Sequence, residues 1–169
     1  LPRRDIKIQP PVPSLVTKDP FGDFTTKQLA ILDPTGNRQK MFARKNKDAV
    51  GAGDVIQIRR KNGEPFAGVI LNIRRRGVDT AVLLRNQLTR VGVEMWFKVF
   101  SPMIEGIDMV KKREKRARRA KLYYLRKAEH DIGSVQNMVA VFTRQRAMLG
   151  GTRAGSNKKK PGRFVSKKY

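Results

Sequence analysis

Cysteine is absent from this 169-residue chain, and histidine and acidic residues are scarce. Without cysteine there are no disulfides and no thiolate metal ligands, and the redox compartment stays unspecified. The one histidine, His130, has Glu129 and Asp131 beside it, but these three do not make a metal site without further ligands. The few carboxylates form no evident acid/base pair along the sequence. We therefore expect no catalytic residue, metal, cofactor or small-molecule substrate.

Long apolar runs are also missing, since none approaches the roughly 20 residues that cross a bilayer core. What the chain has in excess is positive charge: 38 Lys and Arg against 14 Asp and Glu, a formal net charge of +24. So large an imbalance destabilises a compact fold through self-repulsion unless a polyanion neutralises it. Nucleic acid is the usual polyanion, because phosphate binding releases condensed counterions. An anionic membrane surface would also attract basic clusters and is the weaker alternative.

The hydrophobic fraction of 39% is low for a chain folded throughout, so we expect one compact core with basic arms. Composition divides the chain into an N-terminal extension, a β-rich unit, a basic segment, a helix and a basic tail. Their bounds are 1–50, 51–112, 113–130, 131–150 and 151–169. The expected fold class is mainly β, with a C-terminal helix.

The N-terminal extension is rich in proline up to residue 20, which favours extended backbone. A short helix is predicted over Thr25–Leu32, capped by Asp23 or Thr25, and a turn at 33–36. Basic residues then follow at Arg38, Lys40, Arg44, Lys45 and Lys47. They are interrupted by Met41 and Phe42, which we expect to pack against an apolar surface.

The apolar pattern predicts about five short antiparallel strands, at 54–60, 66–74, 80–85, 91–100 and 104–110. The strand at 66–74 is a near-continuous apolar run, as expected of a strand covered on both faces. An Asn-Gly hairpin turn lies at 61–64, and Gly106 is a predicted bulge. The alternation is clearest in the fourth strand, where Val93, Met95, Phe97 and Val99 share one face. Five short strands in about 60 residues favour a small barrel.

A helix is predicted from Ser134, its cap, to about Leu149. The spacing of Val135, Met138, Val139 and Phe142 is that of one helix face. Gly150 and Gly151 are expected to end it.

The densest basic run covers residues 111–121, where eight of eleven positions are Lys or Arg. They are Lys111, Lys112, Arg113, Lys115, Arg116, Arg118, Arg119 and Lys121. Such a run repels itself until phosphates lie between the charges, although a solvated face or a nuclear import signal would also explain it. Tyr123 and Tyr124 follow, and aromatic rings beside arginines can pack on bases or riboses. We expect one tyrosine to be core and the other to contact RNA.

A second basic cluster, Arg74–Arg76, lies at a hairpin tip before Gly77 and is predicted to project into RNA, with an ordinary exposed turn as the alternative. Lys158, Lys159 and Lys160 form a third, weaker candidate in the C-terminal tail.

Residues 51–126 carry motifs at the order and spacing of one family. These are Gly53-Asp54, Phe66-Ala67-Gly68-Val69-Ile70, Arg74-Arg75-Arg76-Gly77, Arg85, Val91-Gly92-Val93-Glu94, Phe97, Ser101-Pro102 and Lys121-Leu122-Tyr123-Tyr124-Leu125-Arg126. On them the chain resembles the bacterial-type large-subunit ribosomal protein L19 family.

That resemblance implies an SH3-like antiparallel β-barrel with a basic extension, bound to large-subunit rRNA beside neighbouring large-subunit proteins. It also implies rRNA contacts from Arg74–Arg76 and from 113–126, which adds Arg126 to the candidates, and a bridge to small-subunit rRNA. Bacterial members continue after Arg126 with a short basic tail, whereas this chain adds a helix, and it carries about 50 residues before the barrel.

The chain does not begin with Met, which we interpret as the result of a removed targeting segment or of a sequence that starts late. With the two extensions, this start resembles a mitochondrial member of the family, of fungal type. We therefore predict a structural protein of the mitoribosome, located in the mitochondrial matrix. A non-ribosomal RNA chaperone or translation factor is the alternative.

Overall fold

A computed structural model describes residues 9–11 and 18–154 of the chain, with side chains as far as residue 149. Two helices come first, α1 (Pro20–Leu32) and α2 (Asn37–Phe42). Five strands follow, and their bounds are β1 (Val55–Arg60), β2 (Gly63–Arg74), β3 (Ala81–Leu88), β4 (Val91–Lys98) and β5 (Ile104–Lys111). A long helix, α3 (Gln136–Ala154), closes the described chain. The predicted mainly β fold with a C-terminal helix is confirmed.

The strands form one antiparallel sheet in the order β4-β3-β2-β1-β5. Within the described residues β4 and β5 are the two edges and do not pair, so the sheet is not closed. The barrel expected from the strand count is thus not confirmed. The Asn-Gly turn joins β1 to β2, where Arg60 pairs with Gly63, and the register shifts beside Gly106 as predicted.

One further register shift lies in β2. Ile70 pairs with Leu84 of β3 while Asn72 pairs with Leu83, so Leu71 is an extra residue in the ladder. Beyond this bulge, the positions of β2 that face each side of the sheet are shifted by one residue. Val69 and Leu71 face the same side of the sheet as Asn72 and Arg74 beyond the bulge.

The larger core lies on one face of the sheet and takes side chains from all five strands. Its buried members include Ile56, Ile58, Phe66, Ile70, Val82, Leu84, Phe97 and Ile104. The rings of Phe66 on β2 and Phe97 on β4 lie 5.5 Å apart across the intervening strand, so the sheet curls around this core. Phe42 and Val50 complete the core, which confirms that Phe42 packs on an apolar surface.

A second, smaller core lies on the opposite face. Leu122, Leu125 and Val135, all C-terminal to the sheet, are buried there against strand residues. Those strand residues are Val55, Val69, Leu71 and Leu83. The chain after β5 therefore crosses back over the sheet, and Leu122 is fully buried on that path.

Both predicted helices needed correction at one end. α1 begins at Pro20, not near Thr25, and its cap is Asp19, whose Oδ1 accepts a hydrogen bond from Gly22 N–H at 3.0 Å. Proline is well suited to this first position because no intrahelical hydrogen bond is needed there. α3 begins where expected but continues through Gly150 and Gly151 to Ala154. Glycine weakens a helix by only about 1 kcal/mol relative to alanine, so it need not end one.

Candidate nucleic-acid interface

Three stretches of chain meet to form one open groove of about 1080 Å³. They are the loop before β1, the end of β2 and the segment that follows β5. Nine basic residues line it: Arg44, Lys47, Arg75, Lys112, Arg113, Arg116, Arg118, Arg119 and Lys121. Two acidic residues also line it, Asp54 and Glu114. We refer to these nine basic residues and the space between them as the basic groove.

Asp54 holds the groove together at its base. Its buried carboxylate accepts a hydrogen bond from Gly51 N–H at 2.8 Å and from Arg113 N–H at 2.9 Å. Gly53 has a positive φ of +98°, and a Cβ there would lie 2.6 Å from Arg113 Nη1. Only glycine fits this backbone conformation and this close approach without strain. The Gly53-Asp54 pair thus attaches the basic segment to the start of β1.

Two further hydrogen bonds fix the path of the segment. Leu122 N–H donates to Leu71 O at 2.9 Å, and Lys112 Nζ donates to Lys47 O at 3.1 Å. The backbone of residues 112–121 is consequently tied at both ends, while most of its cationic side chains remain exposed. Like charges are held close by backbone and apolar contacts, which leaves the side chains available for an anion.

Arg75 lies at the wall of the groove. Its Nε donates to Phe42 O at 2.8 Å, so the guanidinium is fixed against the loop that follows α2. Burial lowers the pKa of Arg75 from its ordinary value, and the nearby Arg44 lowers it further. The guanidinium stays protonated at physiological pH, because arginine is not deprotonated in proteins. The two cations therefore maintain a positive potential in the groove that phosphate would relieve.

Seven of the predicted RNA-binding residues line the groove, and two that line it were not predicted as sites. Arg44 and Lys47 belong to the basic stretch seen before the strands, but their proximity to residues 112–121 depends on contacts far apart in the sequence. Lys111 and Lys115 lie in the same segment outside the lining, with Lys111 Nζ 3.7 Å from Glu114 Oε1. Lys158, Lys159 and Lys160 lie outside the described residues.

The two tyrosines differ in burial, and the expected RNA contact of one of them stays a prediction. Tyr124 is partly buried against the second core, whereas Tyr123 is exposed and its hydroxyl accepts a hydrogen bond from Asn72 Nδ2 at 3.0 Å. Both lie on a short 3₁₀ turn, Tyr123–Arg126, which directs adjacent side chains to different sides. Tyr123 is thus the tyrosine that remains available to a ligand.

Arg126 does not line the groove and makes an ion pair with Glu94 of β4. Its Nη2 lies 2.8 Å from Glu94 Oε2, and its guanidinium carbon lies 4.7 Å from the ring centroid of Tyr123. Glu94 also pairs with Arg85 at 3.0 Å, and Arg85 pairs with Asp131 at 2.7 Å. This chain of four charged groups holds the segment after Leu122 on the sheet.

Pairing lowers the pKa values of the two carboxyl groups and raises that of Arg85. Hydrogen bonding from Arg126 lowers the pKa of Glu94, and hydrogen bonding from Arg85 lowers that of Asp131. The pKa of Arg85 is raised, chiefly by its hydrogen bond to Asp131. The carboxylates are thereby kept ionised, and they balance arginines that would otherwise repel one another.

The three arginines of the remaining cluster, Arg74–Arg76, lie on different surfaces. Arg75 lines the groove, while Arg74 turns to the opposite side of β2 and places its guanidinium carbon 4.4 Å from the ring centroid of Trp96. Arg76 is exposed at the turn. Trp96 lies on the face of β4 opposite to Met95 and Phe97, and its contact with Arg74 follows from the strand register.

Other kinds of site find no support among the described residues. Between residues 18 and 154, no helix has the length and apolarity needed to cross a bilayer. No cluster of three metal-ligating side chains occurs in that part of the chain either. His130 stacks edge-on against Tyr124, with 5.8 Å between ring centroids, and Asp131 is bound to Arg85.

Comparison with known proteins adds a family. Residues 35–137 match the family described as Ribosomal protein L19. A Neurospora crassa protein named "Large ribosomal subunit protein bL19m" is 47% identical over 159 residues, which cover 88% of this chain and 61% of that protein. A Schizosaccharomyces pombe protein of the same name is 34% identical over 152 residues, covering 85% of this chain and 84% of that protein. The chain thus spans about three fifths of its Neurospora relative.

Proposed function

Since the chain belongs to the ribosomal protein L19 family, we propose that it is a structural, non-catalytic constituent of a large ribosomal subunit. It binds large-subunit rRNA through the basic groove, beside neighbouring large-subunit proteins. The observation that carries this proposal is the nine-cation lining held in place by backbone hydrogen bonds. Phosphate neutralisation of this kind positions a protein on RNA without reading its sequence.

The proposed location is the mitochondrial matrix, as part of the mitoribosome. The two fungal relatives carry the name bL19m, which denotes the mitochondrial protein. The stretches on both sides of the family match, at 1–34 and 138–169, support the same assignment. A contact with small-subunit rRNA at a subunit bridge stays a prediction from the family resemblance.

The finer fold assignment belongs to this proposal as well. An SH3-like barrel would place residues 51–112 in one curled sheet with the basic segment 113–130 as its extension. The contact between Phe66 and Phe97 and the shared core of all five strands support it. Because the sheet is open between β4 and β5, the barrel that we propose is a partial one.

Sedimentation of the native protein tests the assignment to the ribosome. In a mitochondrial lysate fractionated on a gradient at high salt, we expect the chain with the large-subunit particle. A free RNA chaperone or translation factor, the second candidate, would be released, because phosphate-driven binding weakens steeply with salt. Recovery only at the top of the gradient would reject a structural role.

A matched pair of triple variants tests the groove. Replacing Arg118, Arg119 and Lys121 with Ala should weaken binding to rRNA fragments of unrelated sequence to a similar extent. The salt dependence should also become shallower, by about 0.7–0.9 in the slope of log K for each phosphate that is no longer neutralised. The control removes the same charge from exposed sites outside the groove lining, at Lys27, Lys61 and Arg144. Equal weakening in both variants would show that net charge, not the groove, binds RNA.

A further inference from the structure

Two exposed aromatic rings lie on the same face of the sheet, and neither belongs to the lining of the basic groove. In the ladder Trp96 on β4 pairs with Leu83 on β3, and Leu83 pairs with Asn72 on β2. Asn72 in turn hydrogen-bonds Tyr123 Oη at 3.0 Å. Trp96 and Tyr123 therefore lie on one face of the sheet, with Leu83 and Asn72 between them. Their exposures are 42% and 36%, so each ring leaves area accessible to a ligand.

Each ring is paired with an arginine. The guanidinium carbon of Arg74 lies 4.4 Å from the centroid of Trp96, and that of Arg126 lies 4.7 Å from the centroid of Tyr123. Arg126 is oriented by its ion pair with Glu94, which is two residues before Trp96 on the same strand face. The rings and cations are thus held in position before any ligand arrives.

This combination fits an unpaired nucleotide. A base can stack on the accessible part of a ring, and the arginines can meet its phosphate or stack on it from the side. Bases within a duplex are already stacked on their neighbours and cannot do so. An apolar protein surface would offer no anion to the Arg74 guanidinium, and a chain with a net charge of +24 favours RNA as the occupant.

We propose that Trp96 and Tyr123, flanked by Arg74 and Arg126, form a stacking platform for unpaired nucleotides of the RNA bound by the chain. This rests on the proposed function and adds to it a preference for single-stranded or looped RNA. Arg74 on the platform and Arg75 in the basic groove are consecutive residues at the end of β2. One RNA strand passing the end of β2 therefore meets both surfaces.

Trp96 is the only tryptophan in the chain, so its fluorescence reports this surface alone. The experiment titrates the full chain with a short single-stranded oligoribonucleotide, with the same sequence as a duplex, and with polyphosphate, which has no bases. We expect the single strand to quench tryptophan emission at the concentrations where it binds. The duplex and polyphosphate should bind with little quenching.

Variants complete the test. Trp96→Leu should weaken single-strand binding about tenfold, the range for removal of one base stack, and change duplex binding little. Trp96→Phe keeps an aromatic ring and should retain most of the affinity. Phe24→Leu, on exposed α1, is the matched control and should change neither. If Trp96→Leu fails to fold, the fluorescence of the native chain and the Trp96→Phe variant still decide the question.

The outcomes separate the two proposals. If the chain binds RNA but tryptophan emission is unchanged, or polyphosphate quenches as strongly as the single strand, the platform is wrong and the groove stands. If quenching occurs and groove variants do not weaken binding, the platform stands without the groove. If the chain binds neither RNA, both proposals are overturned.

Discussion

Gly53 shows how a single residue determines where the basic segment lies. Its φ of +98° strains any other residue, and a Cβ there would displace the side chain of Arg113. We predict that Gly53→Ala lowers the free energy of unfolding by about 1–3 kcal/mol, the usual range for a strained backbone residue. RNA affinity should fall as well, because Arg113 must move. Denaturant unfolding and RNA titration measure the two effects.

Gly77 provides the control for that substitution. It also has a positive φ, +51°, but a Cβ there would meet nothing within 4 Å. Gly77→Ala therefore adds backbone strain without a collision, in a left-handed region that other residues sometimes adopt. It should destabilise the protein less than Gly53→Ala and leave RNA affinity nearly unchanged. Equal effects at both positions would contradict the role given to the Gly53–Arg113 contact.

At the scale of elements, charged pairs join β3, β4 and the segment that crosses them. The pKa values of Glu94 and Asp131 are lowered in the folded chain from ordinary values of 4.5 and 3.8. A carboxyl group with a lowered folded pKa contributes stability above its ordinary pKa and loses it as pH falls through the folded value. Stability should therefore be flat near neutral pH and decline below about pH 4.5.

The variant Glu94→Gln tests this network. It removes one titrating group and leaves Arg85 and Arg126 without their shared carboxylate. We expect a lower melting temperature at neutral pH and a smaller further decrease on acidification than in the native chain. Melting curves between neutral and acidic pH provide the comparison. A variant destabilised by acid as much as the native protein would show that other carboxyl groups dominate.

Periodicity predicted the strands well because it reflects local burial. The alternation of Val93, Met95 and Phe97 matches the core face of β4, since one side of that strand packs inward. The start of α1 was missed because the prolines before it favoured extended backbone, although Pro20 occupies a helix position that tolerates it. The predicted end of α3 at Gly150 and Gly151 was wrong, because glycine weakens a helix only slightly and α3 continues to Ala154.

The groove was only partly predictable for a different reason. Residues 111–121 are adjacent in sequence, so their charge density could be recognised there. Arg44 and Lys47 join them only because Lys112 donates to Lys47 O and because Phe42 packs in the core. The assignment of Trp96 to a surface beside Tyr123 likewise needed the register of three strands. Contacts between residues far apart in the sequence leave no periodic pattern of apolar positions from which they could be predicted.

Over the whole molecule, charge is unevenly divided between surfaces. The basic groove gathers nine cations, while α1 and its flanks carry Asp19, Asp23 and Asp33 and an exposed apolar stripe of Phe21, Phe24 and Ile31. Among the described residues, the electrostatic attraction for RNA is therefore stronger at the groove than at α1. Residues 18–33 contribute little to it.

The salt dependence of RNA binding measures how many cations of the basic groove contact a phosphate. If each of the nine cations meets one phosphate of a single strand, log K should fall with log salt with a slope of about −6. The melting temperature of the free chain should not fall over the same range, because backbone and apolar contacts hold the groove and salt screens the repulsion among its cations. RNA titrations and melting curves at several salt concentrations test both. A slope of about −2 would limit the interaction to a few cations.

The extra residue in β2 has a consequence for the whole arrangement. Leu71 interrupts the regular pairing of β2 with β3, and its carbonyl group is the acceptor for Leu122 N–H. A β2 shortened by this one residue would keep Asn72 and Arg74 on their present side and would pair with β3 more regularly. It would also remove the oxygen that holds Leu122. The irregularity is thus an attachment point, and a more ideal sheet would lack one of the hydrogen bonds that hold the basic segment on β2.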